Sequence, residues 1–144
     1  MSLLLIGAVT TAAAESTQGI FDAVSNNDAA YVQRWLKEGG DPNLKDSSGQ
    51  SLLYVATGPK GGNAVLAALL RAGANPNEGA HGYTPLMNAA SWVDLTAVQL
   101  LLKHGADPKL RNSRGQVALD VVGLAGGKEK PVIQLLRQVT NGRP

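Results

Sequence analysis

The sequence of 144 residues has no cysteine, few aromatic side chains and little net charge. The absence of thiols excludes disulfides, cysteine-ligated zinc, a cysteine nucleophile and a lipid-modified cysteine. Aromatic residues make up 4% of the chain, which is too few for a typical β-sandwich core but is compatible with close-packed helices. A formal net charge of +2 at neutral pH is too small to indicate nucleic-acid binding, and the sequence predicts none.

Small and apolar residues dominate what is present. Hydrophobic residues make up 44% of the chain, which also contains 17 glycines. A chain of this length and composition can form one domain with a buried core, and it differs from disordered segments, which are poor in apolar residues. The charge is uneven, because residues 81–144 hold eight basic and four acidic side chains. The C-terminal half is therefore mildly positive.

Two sequence motifs recur about every 33 residues. Gly49, Gly82 and Gly115 each begin a similar segment of eight residues. A second motif has apolar residues spaced i, i+3 and i+4 before a glycine and begins again at Val132; its complete copies are residues 32–43, 66–77 and 98–109. Two motifs that share one period indicate a repeat protein. The predicted repeats are residues 15–47, 48–80, 81–113 and 114–141, each boundary being approximate.

Local signals in each repeat predict two short helices. In the third repeat Thr84 can cap the free N–H groups of a first helix, and Pro85 fits its first turn. The apolar spacing within residues 98–102 predicts a second helix, and Gly105 can adopt the left-handed conformation that ends it. The stretch 107–115 is predicted to form a turn or hairpin. The sequence therefore predicts an all-α solenoid of four helix-turn-helix repeats with short hairpin loops.

Two segments of the chain resemble the ankyrin-repeat family. They are Gly-Tyr-Thr-Pro-Leu-Met-Asn-Ala-Ala at 82–90 and Val-Gln-Leu-Leu-Leu-Lys-His-Gly-Ala-Asp at 98–107. The resemblance covers about residues 16–140, but the chain has Tyr54, Met87 and Asp120 where the family pattern has histidine. Membership would imply a stack of helix pairs whose concave side and hairpin tips bind another protein. In size and architecture the chain is also similar to small, exported ankyrin-repeat proteins of bacteria.

Two interpretations stay open for residues 1–14. The apolar run at 3–9, followed by Ala12 and Ala14, is typical of the end of a secretory signal peptide, although no basic residue precedes it. The same residues can instead form an N-terminal helix that caps the first repeat. The first interpretation predicts a periplasmic or secreted protein, and the second a cytoplasmic one. The run is shorter than the roughly 20 residues of a membrane-spanning helix, so no span is predicted.

The sequence contains no arrangement typical of a catalytic or metal site. Only His81 and His104 can supply imidazole, and they occupy different places in the repeat. His104 and Asp107 together provide too few ligands for zinc. The glycines and lysine at 126–128 lack the preceding glycine and the following serine or threonine of a phosphate-binding loop. We therefore predict no catalytic residues, no metal and no cofactor.

A partner-binding face is predicted by placing the family's contact positions on this chain. The predicted contact residues are Ser48, Gln50, His81, Tyr83, Ser91, Trp92, Arg114 and Gln116. Tryptophan, tyrosine and arginine are the residue types enriched at the energetic centres of interfaces. An alternative for Trp92 is that its ring covers the turn between two helices. Basic residues around the third hairpin form either a solvated loop surface or a site that attracts an acidic partner; these residues are Lys103, Lys109, Arg111 and Arg114.

The function predicted from these features is protein binding by a monomeric, non-catalytic module. One alternative is an inhibitor, such as an immunity protein that blocks a secreted toxin or enzyme. A third hypothesis is an enzyme whose site the sequence does not reveal. The partner itself cannot be read from the repeats, because similar folds bind unrelated targets.

Overall fold

The computed structural model describes residues 17–59 and 62–141, which form helices joined by turns and hairpins. Residues 17–25 are helix α1. The other helices are α2 (Ala29–Lys37), α3 (Leu52–Ala56), α4 (Asn63–Arg71), α5 (Pro85–Ser91), α6 (Leu95–Lys103), the 3-10 helix (Ala118–Val121) and α7 (Glu129–Thr140). In this part of the chain, β-pairing is limited to two isolated bridges. The predicted all-α architecture is confirmed.

Residues 1–14, to which the sequence assigns a signal-peptide remnant or a capping helix, lie outside the described residues. Among the helices of the described ranges, none is long and apolar enough to cross a membrane.

The helices form two layers. In the first layer α5 contacts both α3 and the 3-10 helix. In the second layer α2, α4, α6 and α7 each contact the next helix in this order. Helices also pack as pairs, namely α3 with α4, α5 with α6, and the 3-10 helix with α7. Helix α4 lies at the centre, since it contacts α2, α3 and α6, and residues 65–70 are all buried. Alanines at 89 and 90 are fully buried in α5, which lets neighbouring helices approach closely.

Side-chain caps begin the helices where the local sequence predicts them. Thr84 Oγ1 accepts a hydrogen bond from the Met87 N–H at 3.1 Å, with Pro85 as the first residue of α5. Ser51 caps α3 in the same way, and an aspartate caps α2 and α6. Gly105 follows α6 with a φ of 94°, a left-handed conformation that is inexpensive only for glycine. The predicted starts and stops are therefore confirmed in the third repeat.

The fourth helix pair differs from the prediction, because its first member is a 3-10 helix of four residues. Val117 stands where Ser51 and Thr84 cap the preceding first helices, so no side-chain oxygen is present at that position. The Val117 N–H instead donates to the Asp120 carboxylate at 3.0 Å. A glycine-rich segment then leads to α7, and Gly123 donates its N–H to the Ala90 carbonyl at 3.2 Å.

Asparagine side chains join the turns that follow α2, α4 and α6. The Asn43 Oδ1 accepts from the Asn75 N–H at 2.7 Å, and the Asn77 Oδ1 accepts from the Asp107 N–H at 2.7 Å. Each amide thus connects one repeat to the next. The corresponding residue of the third turn is Lys109, whose side chain has no acceptor atom. The ladder of amides therefore ends at the third turn.

Replacing Asn77 with alanine is expected to lower the free energy of unfolding by about 1 kcal/mol, because the Asp107 N–H loses its acceptor. Lys109→Ala is the matched control, since it truncates the equivalent turn residue without removing a ladder bond. We expect the control to change stability by less than about 0.5 kcal/mol. Urea denaturation followed by far-ultraviolet circular dichroism would measure both values, and equal losses would contradict a stabilising role for the ladder.

Candidate functional site

A groove of about 360 Å³ lies along the exposed side of α3 and α5. Its surface is predominantly apolar, and it is lined by residues from three successive repeats: Ser25, Gln50, Tyr54, Val55, Gly58, Pro59, Asn88 and Trp92. A mostly apolar concavity with a few convergent polar groups is the usual form of a binding site.

A buried hydrogen-bond network holds the floor of the groove. Asn88 donates its Nδ2 protons to the Tyr54 carbonyl at 3.1 Å and to the Thr57 Oγ1 at 3.0 Å. The Thr57 hydroxyl in turn donates to the Tyr54 carbonyl at 2.7 Å. Asn88 and Thr57 are both buried, so these bonds fix α5 against the end of α3. The groove is therefore held in shape by the fold itself.

Asn88 is not among the contact residues that the sequence predicts. One signal for it is present, because valine occupies the equivalent positions 33 residues before and after it. A polar residue at a position that is apolar elsewhere in the repeat indicates either exposure or a buried hydrogen-bond partner. The partner, Thr57, is 31 residues away along the chain, so only the folded structure reveals it.

Trp92 lies at the C-terminal end of α5 and borders the groove. Its side chain is 53% exposed, and it is not among the residues that pack against the hydrophobic core. The neighbouring Ser91 is partly buried and donates its Oγ proton to the Asn88 carbonyl at 2.7 Å, so that hydroxyl is already used within the helix.

The second hairpin is a tight two-residue turn. His81 and Gly82 both have positive φ angles, of 51° and 78°, and Ala80 and Tyr83 exchange backbone hydrogen bonds of 3.0 and 2.8 Å. The turn leaves His81 exposed, while Tyr83 is partly buried against the core. The phenol of Tyr83 lies close enough to raise the pKa of Tyr54, a smaller effect than the burial that also raises this pKa. Tyr83 therefore connects the groove to the hairpin tips.

The first hairpin is one residue longer and is held by a carboxylate. The Asp46 Oδ1 accepts from the Ser48 N–H at 2.9 Å, the Ser48 hydroxyl at 2.7 Å and the Gln50 N–H at 3.0 Å. The Ser48 hydroxyl bond is the largest cause of a lowered pKa at Asp46, and the backbone donors act in the same direction. Ser48 and Gln50, both predicted contact residues, are thus held in a defined hairpin.

The third hairpin has the same backbone arrangement around an amide. The Asn112 Oδ1 accepts from the Arg114 N–H at 2.9 Å and from the Gln116 N–H at 3.0 Å. Arg111 crosses the base of the hairpin and donates from Nη1 to the Gly115 carbonyl at 2.6 Å. Arg114 itself is exposed at the tip.

The structure brings most of the eight predicted contact residues together in two adjoining places. Gln50 and Trp92 border the groove, with Ser91 next to Trp92. Tyr83, Arg114 and Gln116 line a second recess of about 270 Å³ between the second and third hairpins. His81 lines a third recess of about 280 Å³, which it shares with Tyr83 and with Lys45 of the first hairpin. Ser48, at the tip of the first hairpin, lines none of these three recesses.

The described residues contain no cluster of three or more histidine, aspartate or glutamate side chains that could hold a metal ion. The polar groups of the groove floor are amide, hydroxyl and carbonyl groups that already bond to one another. The arrangement can therefore bind by shape and hydrogen bonding.

Comparison with known proteins identifies the family. The family model of ankyrin repeats in three copies matches residues 20–112. The chain belongs to the ankyrin-repeat family. The match covers the first three helix pairs of this ankyrin-repeat protein, and the fourth predicted repeat follows it. Ankyrin repeats generally mediate contacts between proteins, as stacked repeats present an extended concave surface.

Relatives in eukaryotes share the repeats but are longer proteins. The ankyrin-repeat protein is 34% identical to ankyrin repeat and SOCS box protein 16 of Mus musculus over 98 residues. The aligned segment covers 62% of this chain and 22% of the relative. It is 31% identical over 110 residues to the putative E3 ubiquitin-protein ligase XBAT35 of Arabidopsis thaliana, covering 74% of this chain and 24% of the relative. Zygote-specific protein 3 of Chlamydomonas reinhardtii is 31% identical over 139 residues, which are 96% of this chain and 36% of the relative. The chain thus spans about a fifth to a third of these relatives.

Proposed function

We propose that this ankyrin-repeat protein is a non-catalytic module that binds a partner protein through the groove and the adjoining hairpin tips. The observation that carries the proposal is the position of Trp92, which is half-exposed beside a concave surface that the fold holds rigid. Exposed tryptophan next to a preformed apolar recess is the typical composition of an energetic centre in a protein interface.

The hydrogen bonds of the site support the same function, because they order the surface before any partner arrives. Asn88 fixes the groove floor, and Asp46 and Asn112 fix two of the three hairpins. A surface that is ordered in advance loses little conformational entropy on binding, so more of the contact energy appears as affinity.

Trp92→Ala is expected to reduce partner recovery about tenfold, because truncation removes an exposed ring from the edge of the groove. Tyr83→Ala is expected to act in the same direction at the neighbouring recess. The full chain, immobilised as wild type and as each variant, would be incubated with extract and the bound proteins quantified by mass spectrometry.

Leu124→Ala is the matched control for this experiment. Leu124 is 95% exposed but lines neither the groove nor the hairpin recess, so its truncation should leave recovery unchanged. Circular dichroism would establish that each variant is folded. Equal recovery of the same partner by all four proteins would overturn the proposed binding face.

A further inference from the structure

The third hairpin (residues 107–116) carries a charge opposite to that of the first, although the two have the same backbone arrangement. Residues 41–50 of the first hairpin contain two acidic side chains and one basic side chain, whereas residues 107–116 contain three basic and one acidic. The difference arises at three equivalent positions. The third hairpin has Lys109, Asn112 and Arg114 where the first has Asn43, Asp46 and Ser48. The positive charge is therefore a property of one hairpin and not of the repeat.

The basic side chains of the first and third hairpins also differ in how they are paired. Lys45 of the first hairpin forms a salt bridge with Glu78 of the second, with Nζ and Oε1 2.5 Å apart. Among the residues that the structure describes, no second salt bridge is present. The basic residues of the third hairpin therefore have no carboxylate partner there. Their charge is accordingly available to another molecule.

The exposed surface of the third hairpin combines positive charge with an apolar residue. Lys109, Arg111 and Arg114 are exposed, and Leu110 between two of them is 37% exposed. The bond from Arg111 to the Gly115 carbonyl holds one guanidinium in place. Arg114 lines the same recess as Tyr83 and Gln116. The third hairpin is therefore continuous with the proposed binding face.

We propose that the part of the partner that contacts the third hairpin is an acidic polypeptide segment that also carries an apolar side chain. This inference rests on the proposed function and specifies the chemistry of its partner. Arginine guanidinium groups pair with carboxylates in a planar, bidentate geometry, and Leu110 supplies an apolar contact at the same place. Opposite charge on the two surfaces also accelerates their association.

A polypeptide fits the charge distribution better than a nucleic acid. Nucleic-acid binding requires a basic surface that follows several phosphates, but here the positive charge is confined to one hairpin. The first hairpin contains Asp41 and Asp46, while its Lys45 is already paired with Glu78 of the second hairpin. These acidic residues would repel a phosphate backbone laid along the row of hairpins.

The test uses the full chain and a display library of random peptides about twelve residues long. Selections would be run in parallel on the wild type, on the Lys109→Glu/Arg114→Glu variant and on the Lys128→Glu/Lys130→Glu variant. The last is the matched control, because it makes the same change in net charge at exposed lysines next to the start of α7. Thermal melts would establish that all three proteins are folded.

We expect peptides selected on the wild type and the control to be enriched in aspartate and glutamate, and those selected on the hairpin variant not to be. A labelled selected peptide should bind the hairpin variant about tenfold more weakly and the control variant about equally. Its affinity for the wild type should also fall when the salt concentration rises from about 50 to about 500 mM.

Selected peptides without acidic residues, equal binding by the hairpin variant, or a failure to select any binder would overturn the inference. A random single-stranded oligonucleotide that bound the wild type more tightly than the selected peptide would also overturn it. If Trp92→Ala weakens peptide binding while reversal of the hairpin charge does not, the inference of an acidic partner is wrong. The proposed binding face is supported in that case. If neither change has an effect, both proposals are wrong.

Discussion

Replacing Leu69 with alanine is expected to lower the free energy of unfolding by about 3 kcal/mol, with loss of cooperative helix packing at the centre of the stack. Leu69 is completely buried in α4, and α4 contacts α2, α3 and α6. Alanine at this position would leave a cavity between neighbouring repeats, because three surrounding helices cannot all move to fill it. In a repeat protein most stability comes from such interfaces between neighbours, so the loss affects the whole array.

Leu124→Ala removes the same atoms from a side chain that is 95% exposed. Its effect should be less than about 0.5 kcal/mol, since no buried contact is lost. Urea denaturation of both variants, followed by circular dichroism and by tryptophan fluorescence, would measure the difference. A loss below about 1 kcal/mol for Leu69→Ala would mean that the interface repacks around the smaller side chain.

The second large effect is expected from Gly79→Ala, which should destabilise the protein by about 3 kcal/mol. A Cβ atom at Gly79 would overlap the Tyr83 carbonyl oxygen, which is a backbone atom. The same carbonyl accepts the Ala80 N–H that closes the second hairpin. Relief of the overlap requires the hairpin to open, and the Ser51 hydroxyl, which donates to the Glu78 carbonyl at 2.6 Å, would then lose its acceptor. The change therefore weakens the connection between two repeats as well as one turn.

Gly49→Asn is the control for this prediction. Gly49 also lies in a hairpin, with a φ of 84°, but a Cβ there would meet no atom within 4 Å. Asparagine tolerates the left-handed conformation better than most residues, so the expected loss is less than about 1 kcal/mol. Thermal unfolding of both variants separates the effect of atomic overlap from the effect of replacing a hairpin glycine. Similar midpoints would show that the hairpin accommodates the extra carbon and that the overlap at Gly79 is relieved cheaply.

Much of the fold could be predicted because its signals are local and repeated. Thr84, Pro85 and Gly105 define the ends of helices through their own hydrogen bonding and backbone preference, and the 33-residue period extends these assignments to the other repeats. The 3-10 helix was not predicted, although its cause is visible in the sequence. Val117 offers no capping oxygen. The repeat pattern alone does not reveal that this short helix, which lacks a side-chain cap, is a 3-10 helix and not an α-helix.

The candidate site was only partly predictable, for a different physical reason. The repeat register places Tyr83, Arg114 and Gln116 on one side of the stack, and the structure brings them into one recess. Register does not determine exposure, so it could not show that Trp92 lies at the surface of the groove. Nor could it reveal the bond between Asn88 and Thr57, because that bond depends on how two helices from different repeats are rotated against each other.

The backbone shape of a hairpin does not depend on its charge, and this affects how the sequence can evolve. Asp46 and Asn112 use the same oxygen position to accept the same two backbone N–H groups, so the hairpin keeps its form whether that residue is charged or neutral. Exposed tip side chains such as that of Arg114 form none of the hydrogen bonds that hold the loop. Single substitutions at those tips can alter which partners are attracted while leaving the stability of the stack almost untouched. In evolutionary terms, the protein can acquire a new specificity by a series of small steps, each of which still folds.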